Sequence, residues 1–171
     1  MMLWQETKLG YIFQITNFQY VIIRLQTIVQ QDVISVWSKF DQDLLRALTP
    51  PFPKVQVLRY DGNEQGDWVS FQLSALGIKQ KWTSYISKHQ VDPSHCFFVD
   101  EGTELPFFLS TWKHTHGIIQ TPKGTVIDDF IEFTTPYFWL DYVVYPVLWL
   151  QFAYRQPIYR RFFKIKSVVD E

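Results

Sequence analysis

From Tyr20 onward the chain alternates apolar and polar residues in short runs at a period of two, and it changes to helical spacing in only two places. The alternation, with its β-branched and aromatic content, predicts strands over Tyr20–Val29, Lys54–Tyr60, Asp67–Leu76, Ile78–Lys88, Ser94–Asp100, Phe107–Gln120 and Thr125–Thr134. Between the first two, Asp32 offers a helix cap, and Val33, Val36, Trp37 and Phe40 recur on one helical face. A second short helix carries Leu44, Leu45 and Leu48 and is stopped by Pro50-Pro51. From Lys54 the connections are too short to hold a helix. The strands therefore pair as antiparallel hairpins, and a parallel doubly wound sheet is excluded.

The pattern turns helical again from Tyr137 to about Lys164, and its first half is apolar almost all round. Such a helix is expected to be buried on most sides. Pro146 and Pro157 each remove a backbone donor and are expected to kink or segment it. Residues 1–19 fit no template and are read as an N-terminal extension of uncertain structure, ahead of one domain over residues 20–166. The fold class is α+β: a curved seven-stranded antiparallel sheet, two short helices, and a long C-terminal helix across the concave face.

Composition sharpens this picture in one respect. Aromatic residues make up 18% of the chain, and rings line cores and ligand cavities at low entropic cost. The formal net charge of -1 provides no electrostatic footprint for nucleic acid. Arg155, Arg160, Arg161, Lys164 and Lys166 are read as cations facing the negative end of the last helix. Cys96, the sole cysteine, is expected to be a buried small hydrophobe, which suits a reducing cytoplasm. Polar residues interrupt the N-terminal apolar stretch, so no signal peptide is expected. The apolar stretch from Phe138 to Leu150 contains Asp141 and Pro146 and is too short to span a membrane.

Strand alternation then identifies a polar group among the rings. Trp112, His114, His116 and Ile118 share one face of their strand, and Ile127, Asp129, Ile131 and Phe133 share a face of the next. If Gln120 pairs with Thr125 across the turn Thr121-Pro122-Lys123-Gly124, His116 lies opposite Asp129, His114 opposite Ile131, and Trp112 opposite Phe133. The His116–Asp129 pair then has three readings: a self-satisfied structural pair, a ligand anchor, or an acid–base couple. His114 and His116 alone do not make a zinc site, because the sequence supplies no evident third ligand. Asp141 suits the first turn of the last helix, where Tyr142, Tyr145 and Trp149 form one stripe.

Several local motifs occur in a fixed order: Leu48-Thr49-Pro50-Pro51-Phe52, Trp82, Phe98-Val99-Asp100-Glu101, Pro106-Phe107, Trp112-Lys113-His114-Thr115-His116, and Gly124-Thr125 through Asp129. Together with Phe152, Arg155, Ile158 and Phe162 they resemble the bacterial SRPBCC family of the START-like, polyketide cyclase superfamily. The chain departs from that pattern at Gly102, where members often carry Gln, and at Leu105, where many carry Gly. The resemblance implies a helix-grip fold that binds an apolar small molecule or lipid, and in some relatives cyclase or dehydratase chemistry. Inward rings from sheet and helix then predict an enclosed pocket bordered by Trp82, Phe98, Trp112, Tyr142, Tyr145 and Trp149, with His114, His116 and Asp129 as its polar part. The expected function is binding or carriage of a hydrophobic small molecule, with no cofactor. The alternatives are an enzyme using His116 and Asp129, and an interaction module whose aromatic helix forms a homodimer or partner interface.

Overall fold

The computed structural model describes residues 20–164, so the expectations for residues 1–19 and for Lys166 lie outside it. The elements run β1 (Val21–Val29), α1 (Val33–Trp37), α2 (Gln42–Ala47), β2 (Lys54–Tyr60), β3 (Trp68–Ala75), β4 (Ile78–Gln90), β5 (His95–Glu104), β6 (Thr111–Thr121), β7 (Gly124–Thr134) and α3 (Phe138–Phe162). The strands form one antiparallel sheet in the order β1-β7-β6-β5-β4-β3-β2. Register shifts at Val57/Arg59, Thr83/Ser84 and Ile86/Lys88 mark bulges, which bend strands and increase their twist.

Local chemistry explains the helix starts. Asp32 caps α1 by accepting from Ser35 N–H at 2.9 Å, and Asp41 caps α2 by accepting from Asp43 and Leu44 N–H. Asp141 lies in the first turn of α3, where Thr135 Oγ1 donates to it at 2.7 Å. Two strand boundaries differ from the sequence reading by four residues, the others by two at most. β5 continues past Asp100 to Glu104, and β6 starts at Thr111 because Pro106 opens a turn closed by Leu109 N–H to Pro106 O.

The last helix differs more. It runs unbroken over 25 residues through both prolines. Pro146 and Pro157 are exposed, so water can satisfy the carbonyls whose donors they remove. Nor is its first half buried on most sides. Val144, Leu148, Phe152 and Tyr159 are buried, whereas Trp139, Val143, Val147, Leu150 and Tyr154 form an exposed stripe on the opposite face. The buried residues of this first half pack on the sheet, through Ile23, Trp112, Ile131 and Phe133. No described helix is long and apolar enough to cross a membrane.

The buried apolar residues divide into two clusters. Toward one end, Val33, Val36, Phe40, Leu44 and Leu48 pack with Ile86, Phe98, Ile118, Tyr159 and Phe163. Toward the other, Ile23, Trp112, Ile131 and Phe133 pack with Val144, Leu148 and Phe152. The buried Cys96 belongs to the first cluster. Between the clusters the sheet carries its polar group.

Candidate functional site

β6 and β7 pair through Gln120↔Thr125, so His116 faces Asp129, His114 faces Ile131 and Trp112 faces Phe133. On the other side of β6, Asp100 of β5 pairs with His114 and Phe98 with His116. Two imidazoles thus lie between two carboxylates on the inner face of the sheet. Their ring centroids are 3.6 Å apart.

The hydrogen bonding is shared unequally. His114 Nε2 lies 3.0 Å from Asp129 Oδ1 in good geometry, so this nitrogen carries the proton. His116 Nδ1 lies 3.2 Å from the same oxygen but off the direction of a hydrogen bond, and it counts among the buried atoms without one. Asp100 Oδ2 faces His114 Nδ1 at 3.5 Å and His116 Nε2 at 3.6 Å, while Trp112 Nε1 donates to Asp100 Oδ1 at 2.9 Å. Rings pack around this group. Phe98 stacks on His116 with centroids 4.4 Å apart, and Phe152 meets His114 edge-on at 4.9 Å.

Removing an unpaired carboxylate from water costs several kcal/mol, roughly, so neither aspartate is tolerable here alone. For both, burial pushes the pKa up, but the hydrogen bonds and charges of His114 and His116 outweigh it and hold the acids well below the usual carboxylate range. For His116, burial works against the charged ring, but Asp100 and Asp129 together hold its pKa above the ordinary imidazole value. Burial, reinforced by the charge of Asp129, pushes the Tyr159 hydroxyl well above its normal range.

A largely apolar pocket of about 170 Å³ opens beside this group, partly open to solvent and not sealed. Val69, Trp82, Ile86, Phe98 and Trp112 line it from the sheet, Leu44 from α2 and Leu48 from its C-terminal cap, and Leu148 and Phe152 from α3. Asp100, His114 and His116 form its polar wall, with Gln151 and Arg155 also at its edge. The Arg155 guanidinium sits 4.1 Å from the Phe152 ring centroid, so this cation belongs to the pocket wall and not to the helix end.

Of the expected site residues, Trp82, Phe98, Trp112, His114 and His116 border the pocket, and Tyr142, Tyr145, Trp149 and Asp129 do not. Tyr142 is exposed, while Tyr145 and Trp149 are half-buried against the second cluster. The pocket-facing stripe of α3 runs through Leu148 and Phe152, roughly 100° round the helix from Trp149 to Leu148 because neighbouring residues are a third of a turn apart. Asp129 lies behind the imidazoles, out of reach of a ligand. Asp100 was missed as a site residue. Its signal was the alternation Phe98, Asp100 across from His116 and His114, hidden because the expected strand ended at Asp100. With ligand atoms of Asp100, His114 and His116 gathered within 4.8 Å of one another, the third potential metal ligand is present after all.

The same architecture occurs in solved structures. An aromatase/cyclase from a Streptomyces species superposes with a TM-score of 0.62 at 16% identity, over 82% of this chain and 91% of that one. The helix-grip fold is therefore this chain's fold. Norcoclaurine synthase from Thalictrum flavum, solved in complex with dopamine and hydroxybenzaldehyde, gives 0.60 at 16% identity over 92% and 98% of the two chains. A major latex-like protein from Panax ginseng shares the helix-grip fold at 0.52 and 9% identity, over 80% and 98%. No protein-family model matches the chain, and no curated protein does.

Proposed function

We propose that this helix-grip domain binds a compact apolar small molecule that has a polar end. The observation that carries the reading is the pocket itself: a largely apolar lining from the sheet, α2 and α3, with Asp100, His114 and His116 as a polar wall. Its size decides between ligand classes. An apolar cavity of about 150 Å³ accepts benzene, so a pocket of about 170 Å³ suits one or two rings and not a two-chain lipid. The polar wall would fix the orientation of a hydroxyl or carbonyl, as a few placed polar groups do in apolar sites generally. The complex of norcoclaurine synthase with two small aromatic molecules supports the analogy of fold to ligand size. Acid–base turnover remains the enzymatic form of the same site, and it would use His116, which reaches the pocket. Native mass spectrometry tests the reading. The chain incubated with 2-naphthol is expected to carry one equivalent, lost on unfolding, and a bare mass at saturating 2-naphthol would overturn it.

One observation favours a second reading, in which the domain self-associates. The stripe of Trp139, Val143, Val147, Leu150 and Tyr154 is exposed and apolar along four turns of α3. A second copy could cover it isologously, each stripe lying on the other.

A further inference from the structure

We propose that Asp100, His114 and His116 hold a divalent first-row transition metal, of the zinc or cobalt class, at the polar wall of the pocket. This inference rests on the proposed pocket only for what would complete the coordination shell. The metal-binding geometry stands on its own.

Three acceptors converge here. Asp129 takes the proton of His114 Nε2 at 3.0 Å, which turns the Nδ1 lone pair toward Asp100 Oδ2, 3.5 Å away. His116 places Nδ1 3.2 Å from Asp129 Oδ1, without a hydrogen bond to it, and Nε2 3.6 Å from Asp100 Oδ2. The 3.5 and 3.6 Å separations are too long for direct hydrogen bonds. They fit a coordination polyhedron instead, since tetrahedral bonds of about 2.1 Å place ligand atoms roughly 3.4 Å apart. All three ligand atoms lie within 4.8 Å of one another, so the triangle is compact enough for one ion.

The surroundings match what a metal site requires. Asp129 is the carboxylate behind the imidazoles, and its bond to His114 Nε2 fixes the tautomer of that ring. Trp112 Nε1 holds Asp100 Oδ1 at 2.9 Å, which leaves Oδ2 free to act as a single-oxygen ligand. Two imidazoles and one carboxylate select first-row divalent ions over magnesium or calcium. All three residues line the pocket, so the open coordination position faces it. The ligand class that follows is a small aromatic or apolar molecule with an oxygen donor, such as a phenol or a carboxylic acid.

The test uses the full chain without a histidine tag, stripped with chelator and titrated with Co(II). The expected result is one equivalent bound with visible ligand-field bands, abolished by Zn(II). Asp100→Asn keeps an acceptor for Trp112 and removes the anionic ligand, and should weaken Co(II) binding at least tenfold. His95→Ala, at an exposed histidine, should leave it unchanged. If Asp100→Asn unfolds, His116→Gln serves in its place, with circular dichroism confirming the fold. Absence of stoichiometric Co(II) binding, or binding lost with His95→Ala and kept with Asp100→Asn, overturns the proposal. A parallel 2-naphthol titration of the stripped protein separates the two ideas. If 2-naphthol binds and Co(II) does not, only the metal site is defeated; if Co(II) binds and 2-naphthol does not, only the apolar-ligand reading is.

Discussion

His114 Nε2 lies 3.0 Å from Asp129 Oδ1, with both side chains almost wholly buried. Asp129 does not line the pocket, so its main work is to satisfy His114 from behind. Asp129→Asn replaces a charge-assisted bond by a neutral one and should cost about 1.5–3 kcal/mol of stability. Urea unfolding measures this, and 2-naphthol affinity should change less than threefold. Unchanged stability would mean that the buried pair is not a pair in solution.

The pocket wall on α3 distinguishes two neighbouring residues. Gln151 lines the pocket and is only half-buried, so Gln151→Trp should fill it with little strain on the core. Trp149 does not line the pocket, and Trp149→Ala should leave 2-naphthol affinity within twofold while lowering stability. Equal loss of affinity in both variants would place the ligand elsewhere on the helix.

The β3–β4 hairpin turns on Leu76-Gly77, both at positive φ (50° and 81°), which is the signature of a type I′ turn. Leu76 is almost fully exposed and gains nothing from its side chain there. Leu76→Asn should therefore raise stability by about 0.5–1 kcal/mol, read as a higher urea midpoint. A lower midpoint would contradict the assigned turn.

Much of the fold was legible because alternation and turns constrain each other. Pro122-Lys123 between Gln120 and Thr125 leaves one sensible register, and that register brings His116 opposite Asp129. The polar site was legible only in part. Asp100 reaches His114 because β5 runs on to Glu104, a continuation through Glu101-Gly102-Thr103 that carries no apolar alternation. The orientation of α3 was misread because Tyr142, Tyr145 and Trp149 have the larger rings. Burial instead follows Val144, Leu148 and Phe152, the stripe that one sheet face can accept. Aromatic size is a weak guide to which side of a helix packs inward.

The exposed stripe of α3 offers a test of self-association. Val143→Lys with Val147→Lys adds two charges at exposed positions and should change stability by no more than about 0.5 kcal/mol. Sedimentation equilibrium should show a dimer in the parent chain and a monomer in the double variant. A monomer in both removes the self-association reading.

Cys96 is fully buried, its Sγ–H 3.2 Å from Asp92 O, and burial raises its pKa. The native thiol should react with a disulfide reagent at least a hundredfold more slowly than the urea-unfolded thiol, which absorbance at the thiol-release band would record. Comparable rates would place Cys96 at the surface.

The central claim is that a compact apolar molecule occupies the pocket beside His114, His116 and Asp100. Titration calorimetry with 2-naphthol, on the parent chain and on Gln151→Trp, tests it most directly. The account predicts one site per chain in the parent, a negative heat-capacity change, and at least tenfold weaker binding in the variant, which is about 1.4 kcal/mol. Binding of equal strength in the two proteins, or no saturable binding to the parent chain, would contradict it.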